Sequence, residues 1–168
     1  LRAMQNKLPV VYQIYPKSFY DTNGDGIGDV QGIIEKLDYL QHLGIDMIWL
    51  TPIFTSPQRD NGYDVADYLA IDPVFGTMES VEVLIEEAKR RNIGIMFDMV
   101  LNHTSTEHAW FKRALEDPQY REFYFFRDKP TNWESKFGGN AWEYVESLNL
   151  YYLHLFDVTQ ADLNWEHE

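Results

Sequence analysis

The sequence predicts an α/β fold built on parallel strands. Three observations carry this. Residues 45–50 (IDMIWL) and 93–100 (IGIMFDMV) are nearly continuous apolar runs, as expected of strands covered on both faces. Each is preceded by a stretch with helical apolar spacing. The joints between helix and strand, Leu43-Gly44-Ile45 and Arg91-Asn92-Ile93, look like repeats of one unit. Alternation of this kind implies a parallel sheet with right-handed crossovers.

The elements follow in order. Residues 10–15 (VVYQIY) form a β-branched and aromatic run ended by Pro16, a first strand. A Gly- and Asp-rich loop, 21–29, comes next. Over 30–43 the apolar set Ile33, Ile34, Leu37, Leu40 and Leu43 recurs at helical spacing, and Gly44 sits where a helix C-terminal glycine belongs. After the second strand, residues 51–76 read as a long polar stretch. A second helix is expected over 79–91, with Val81, Leu84, Ile85 and Ala88 as its apolar stripe and Thr77 or Ser80 as its cap. Glu79 and Glu82 lie in its first turn and Lys89, Arg90 and Arg91 in its last, as the macrodipole prefers.

After Val100 the rhythm stops. A short helix is expected over 106–116. Residues 117–168 are rich in aromatics, Asn, Gly and charge without a helical period. A segment that long is not a bare loop. It reads as a small inserted subdomain with short strands at 122–126 and 151–154. The division is therefore 1–103 for the β/α units and 104–168 for the insertion. Three strands do not close a barrel, and a complete (β/α)₈ barrel takes about 250 residues. The chain is either a small open α/β domain or the front part of a larger enzyme.

Composition narrows the function. The 168 residues hold 14 Lys plus Arg against 27 Asp plus Glu, a formal charge of −13. That argues against nucleic acid or an anionic membrane as partner, since both need basic patches. No apolar run is long enough to span a bilayer, and residues 1–7 lack an apolar signal core. The absence of cysteine removes disulfides and thiolate chemistry and fits a cytoplasmic protein. Aromatics make up 15% of the chain. They fill a core, and with many acids they also suit carbohydrate, whose C–H faces rest on aromatic rings while its hydroxyls bond carboxylates and amides.

Three clusters carry candidate chemistry. The loop Asp21-Thr-Asn-Gly-Asp-Gly-Ile-Gly-Asp29 offers oxygens at every second residue. Asp21, Asn23, Asp25 and Asp29 by side chain and Ile27 by carbonyl suit a hard cation, Ca²⁺ before Mg²⁺. The twelfth position is Gly32 rather than a bidentate Glu, and a strand precedes the loop, so this is no EF-hand. The alternative is a Gly/Asp turn holding no metal. The second cluster is Asp60-Asn-Gly-Tyr-Asp64, in the loop after the second strand, where parallel α/β folds build their sites. Asp60 would accept sugar hydroxyls and Tyr63 would floor the ring. The alternative is an Asn61-Gly62 turn with Asp60 and Asp64 solvated. The third is Asp98 to His103. Asp98 lies inside an apolar strand, where an unpaired charge would cost several kcal/mol, so Arg or His is expected as its partner. His103 falls just past the strand end, on the expected functional rim.

The segments VYQIYPKSF (11–19), DTNGDGIGD (21–29), GIDMIWLTPIFTSP (44–57), DNGYDVADY (60–68), DMVLNH (98–103) and NHTSTEHAWF (102–111) together resemble the alpha-amylase superfamily of glycoside hydrolases. FGGNAWEY (137–144), YYLHLF (151–156) and QADLNW (160–165) extend the likeness to its oligo-1,6-glucosidase-like group. QIYPKSF, IDPVFGTM and the stretch from FGGNAWEY to QADLNW are most similar to members that act on trehalose 6-phosphate. The resemblance implies a (β/α)₈ barrel, of which this chain holds the first three strands and a subdomain inserted after the third. It implies that Asp60, Tyr63 and His103 line the pocket of the attacked sugar ring, with Asp98 as buried support. Phe137, Phe156 and Gln160 would be further walls, and 21–29 the Ca²⁺ loop. No organic cofactor is implied.

The family's chemistry is retaining hydrolysis, with one carboxylate attacking the anomeric carbon and another protonating the leaving oxygen about 5–5.5 Å away. In the family these come from the fourth and fifth strands and a third Asp from the seventh. The expectation is that they lie beyond Glu168 and that the chain alone is inert. The implied substrate is an α-glucoside or a disaccharide phosphate. Dextran glucosidases and sucrose isomerases share most of these motifs. A different class, the amylase-like ectodomain of an amino-acid transporter subunit, usually loses the sugar-binding Asp and His that are present here.

Overall fold

The computed structural model describes residues 7–168. In chain order its elements are β1 (Val11–Ile14), α1 (Pro16–Phe19), α2 (Val30–Glu35), α3 (Leu37–His42), β2 (Met47–Leu50), β3 (Phe54–Thr55), β4 (Asp67–Ile71), α4 (Met78–Arg90) and β5 (Gly94–Phe97). Then follow β6 (His103–Ser105), α5 (Ala109–Ala114), α6 (Pro118–Arg121), β7 (Phe126–Arg127), β8 (Trp142–Val145), β9 (Leu150–Leu153) and β10 (Gln160–Asp162). They pack as two units. One runs up to Ile53 and resumes at Ile71–Asp98; the other comprises Phe54–Ala70 and Met99–Glu168. Residues 54–70 thus pack with the second unit, and the packing boundary falls at Asp98 rather than after His103.

The first unit is the expected parallel sheet, ordered β1-β2-β5, with Ile14 opposite Leu50 and Leu50 opposite Phe97. Side chains alternate between faces along a strand. Ile14, Ile48 and Leu50, with Tyr12, Ile95 and Phe97 partly buried, lie on one face against Ile33, Leu37, Leu40, Val81, Leu84 and Ala88 from the helices. The other face carries Val11 and Met96, both substantially exposed, and Met47 and Trp49, half-buried. The helices cover one face, and β5 has no fully buried residue.

The helix expected over 30–43 is two helices that break at Lys36. Ile33, Leu37 and Leu40 are wholly buried, while Leu43 is exposed and Gly44 takes a left-handed φ of +79° beyond the end. Gly32 is demanded by contact: a Cβ there would lie 2.1 Å from the Tyr20 carbonyl oxygen. Helix α4 starts at Thr77, whose side chain accepts the Ser80 N–H while the Ser80 hydroxyl accepts the Thr77 N–H. Such reciprocal caps contribute about 1 kcal/mol.

The second unit holds what the sequence left as polar loop and irregular chain. β3 and β4 pair within 51–76, β6 pairs antiparallel with β10, and β7-β9-β8 form an antiparallel sheet. The helix expected over 106–116 is shorter, capped by His108 accepting the Trp110 N–H. The strands expected at 122–126 and 151–154 lie at Phe126–Arg127 and Leu150–Leu153. Phe111, Tyr124, Tyr152 and Ala161 form the main core of this unit.

Candidate functional site

The site begins with Asp64, which is wholly buried. Its carboxylate accepts the Ser56 hydroxyl at 3.0 Å, the Arg59 N–H at 2.8 Å and the Asp60 N–H at 3.0 Å. Three donors replace the water that burial removes. Asp64 is therefore the anchor that fixes the loop presenting Asp60, and the reading of it as a solvated turn residue is corrected. Asn61, at φ +50°, and Gly62, at φ +90°, supply the turn, and the Tyr63 N–H returns to the Asp60 carbonyl at 2.9 Å.

His103 opens β6 and is 3% exposed. Its Nδ1 lies 2.6 Å from the Asn102 side-chain nitrogen and its Nε2 lies 2.9 Å from the Tyr63 carbonyl oxygen. Burial holds the imidazole pKa below its ordinary value; the Tyr63 carbonyl and the charges of Asp60 and Asp64 pull the other way.

Gln160, at the start of β10, is wholly buried. Its Nε2 donates to Asp60 Oδ2 at 2.9 Å and lies 3.1 Å from His103 Nε2, while its Oε1 accepts the Asp157 N–H at 2.9 Å. One amide thus joins a carboxylate and an imidazole that are far apart in sequence. The Phe156 ring lies 5.3 Å from the His103 ring, and the Phe137 ring meets Phe156 edge-on at 6.0 Å. Asp60, His103, Gln160, Phe137 and Phe156 therefore converge in one unit. Tyr63 joins them through its backbone carbonyl, its side chain being half-buried. The result is a carboxylate, an imidazole and an amide beside two aromatic rings, which offers both polar and apolar contacts to a hydroxylated ring.

Asp98 belongs to the other unit. It lies one residue past β5, not inside a strand, and is half-buried rather than buried. Trp49 Nε1–H donates to its Oδ2 at 3.2 Å.

The loop 21–29 turns its oxygens onto its own backbone. Asp21 accepts the N–H groups of Asn23, Gly24 and Gly26, Asn23 accepts that of Asp25, and Asp25 that of Ile27. The Gly26 N–H foremost, with Gly24, Asn23 and Asp25 behind it and burial opposing, holds the Asp21 carboxyl below its ordinary range. Asp29 caps α2 through the Gly32 N–H at 2.7 Å and takes the Thr22 hydroxyl. Among the described residues no three His, Asp or Glu side chains are grouped to hold a metal ion.

Comparison with known proteins places these residues in context. Residues 13–168 match the family model described as the alpha amylase catalytic domain. The chain is 60% identical to trehalose-6-phosphate hydrolase of Bacillus subtilis and 58% identical to oligo-1,6-glucosidase of Heyndrickxia coagulans, over 96% of its own length in both cases. It covers only 30% and 31% of those two proteins. The crystal structure of Bacillus licheniformis trehalose-6-phosphate hydrolase superposes with a TM-score of 0.92 at 60% identity, over 95% of this chain and 30% of that one. Isomaltulose synthase SmuA from Protaminobacter rubrum superposes with a TM-score of 0.92 at 53% identity, over 94% and 30%. The three parallel strands are the N-terminal part of that family's barrel, and the chain belongs to the alpha-amylase family of glycoside hydrolases.

Proposed function

We propose that these residues form part of the glucose pocket of a retaining α-glucosidase, and that the whole protein cleaves trehalose 6-phosphate to glucose and glucose 6-phosphate. The observation that carries this is the Asp60–Gln160–His103 array beside Phe156, with Gln160 and His103 buried and Asp60 half-buried. Asp60 accepts sugar hydroxyls, His103 and the Gln160 amide add polar contacts beside it, and Phe156 and Phe137 take the apolar face of the ring. Tyr63 lines the same pocket, and Asp98 supports the sheet end through Trp49. Trehalose 6-phosphate is favoured over other α-glucosides by the names of two of the relatives, from Bacillus subtilis and Escherichia coli. A cytoplasmic site of action is part of the same proposal; among the described residues no helix is long and apolar enough to cross a membrane.

In this proposal the reacting carboxylates come from outside these 168 residues. The chain by itself binds and does not turn over. Retaining chemistry needs two carboxyl groups about 5–5.5 Å apart across the scissile bond. Asp60 instead accepts the Gln160 amide, which is a binding environment. The loop 21–29 keeps further lone pairs on Asp21, Asn23, Asp25 and Asp29 and on the Ile27 carbonyl, and all are hard oxygen donors suited to Ca²⁺. Bound there, Ca²⁺ would neutralise the loop's negative charge and brace it.

The test is hydrolysis of trehalose 6-phosphate and of an aryl α-glucoside, by the whole protein and by the 168-residue chain. The proposal expects turnover of both substrates by the former and of neither by the latter. Turnover by the short chain, or a whole protein idle on trehalose 6-phosphate, contradicts it.

A further inference from the structure

Phe137 and Phe156 stand 19 positions apart, and their rings meet at 6.0 Å although Phe137 is 59% exposed. A ring that open is not held by core packing, so its place must come from its backbone. One hydroxyl ties the two backbones together. The Ser135 Oγ–H donates to the Phe156 carbonyl oxygen at 2.5 Å, and the same Oγ accepts the Phe137 N–H at 3.2 Å. Ser135 is buried, its N–H donates to the Gly139 carbonyl, and its carbonyl accepts the Gly138 N–H. A simple serine turn would need only the bond to Phe137. The bond to Phe156 spans 21 residues and reaches the ring that packs on His103. Neighbouring bonds hold the same segment: Lys136 N–H to the Leu155 carbonyl at 2.7 Å, and His154 Nδ1 to the Phe156 carbonyl at 3.1 Å. Of these contacts, only the Ser135 hydroxyl touches the backbones of both aromatic residues.

We propose that Ser135 is a positioning residue for sugar binding, setting the spacing of the Phe137 and Phe156 rings through one shared hydroxyl. It touches no reacting atom. It fixes the width of the aromatic wall offered to the apolar face of a pyranose, and so acts on binding rather than on the chemical step. The inference rests on the glucose-pocket reading of Asp60 and His103.

The experiment uses the whole protein with an aryl α-glucoside, comparing Ser135→Ala and Ser135→Thr with the parent. Ser135→Ala raises KM about 5–10-fold with kcat within about twofold, the loss expected for one buried hydrogen bond acting equally on bound substrate and transition state. Ser135→Thr, which keeps the hydroxyl, restores KM. Ser135→Cys, of similar volume and a weak donor, serves if the alanine variant does not fold, and it raises KM likewise. An unchanged KM in the alanine or cysteine variant overturns the inference, as does an equal rise in the threonine variant. Ring-to-ring NOEs between labelled Phe137 and Phe156 judge it independently of sugar. They persist in Ser135→Thr and vanish in Ser135→Ala if Ser135 sets the spacing; their survival in Ser135→Ala overturns it. Failure of the parent to hydrolyse any glucoside would count against the glucosidase reading, and the NOEs would still decide the role of Ser135.

Discussion

Gln160 donates its side-chain amide to the Asp60 carboxylate at 2.9 Å across 100 positions of sequence. The same nitrogen lies 3.1 Å from the His103 imidazole, so a single buried amide organises both polar partners of the site. Truncating it leaves a half-buried carboxylate without that donor and a void behind it. Gln160→Ala should lower unfolding stability by about 1–3 kcal/mol. Urea denaturation followed by tryptophan fluorescence checks this, and an unchanged midpoint would mean the amide is idle.

Gly32 meets the Tyr20 carbonyl too closely for any side chain. Here the obstruction is backbone, which does not swing aside. Gly32→Ala should cost about 2–4 kcal/mol and shift both α2 and the loop ahead of it. A variant melting with the parent would show that the contact relaxes freely.

His103 and Asp162 have opposite pH signatures. Burial lowers the His103 pKa, so on acidification the unfolded chain takes up this proton first. Its contribution is complete above the ordinary histidine value of 6.5 and declines as pH falls below it. In His103→Gln the acid-side decline between pH 6.5 and 5 should be shallower than in the parent, read as melting temperature against pH.

Asp162 is pushed up to about 6 by burial, with the Leu155 N–H and the His154 charge opposing. Its folded pKa lies above the ordinary 3.8, so its contribution is full below pH 3.8 and is lost as pH rises through about 6. Asp162→Asn keeps an oxygen for the Leu155 N–H, which the carboxylate accepts at 2.6 Å. It should be more stable than the parent by roughly 2 kcal/mol at pH 8, and by nothing at pH 4. An equal effect at both pH values would deny the buried-charge cost.

The loop 21–29 gives a metal test. If it takes Ca²⁺ as proposed, millimolar Ca²⁺ should raise the melting temperature by a few degrees, by mass action on the folded state. Asp21→Ala and Asp25→Ala should abolish the rise. Equal shifts in parent and variants would assign the effect to other sites.

Much of the first unit was legible because period and caps survive folding. Apolar runs marked β2 and β5, and Gly44 and Thr77 marked helix ends where the structure has them. The break at Lys36 was hidden because Ile33, Leu37 and Leu40 keep helical spacing across it. In the second unit, β3, β6 and β10 are only two or three residues long, so no alternation announced them. Asp60, Tyr63 and His103 were marked as candidates by their motifs, and Gln160 and Phe156 only through the family resemblance. Asp64 was misread because its partners are mostly backbone N–H groups, which no residue type reveals. Ser135 carried no signal at all, since its second partner is the Phe156 carbonyl.

Glucose binding to the whole protein, with and without Asp60→Asn, tests the central claim most directly. The account expects saturable binding by the parent, and affinity at least tenfold weaker, about 1.4 kcal/mol, once the carboxylate is gone. Equal affinity in both proteins, or none in the parent, would contradict it.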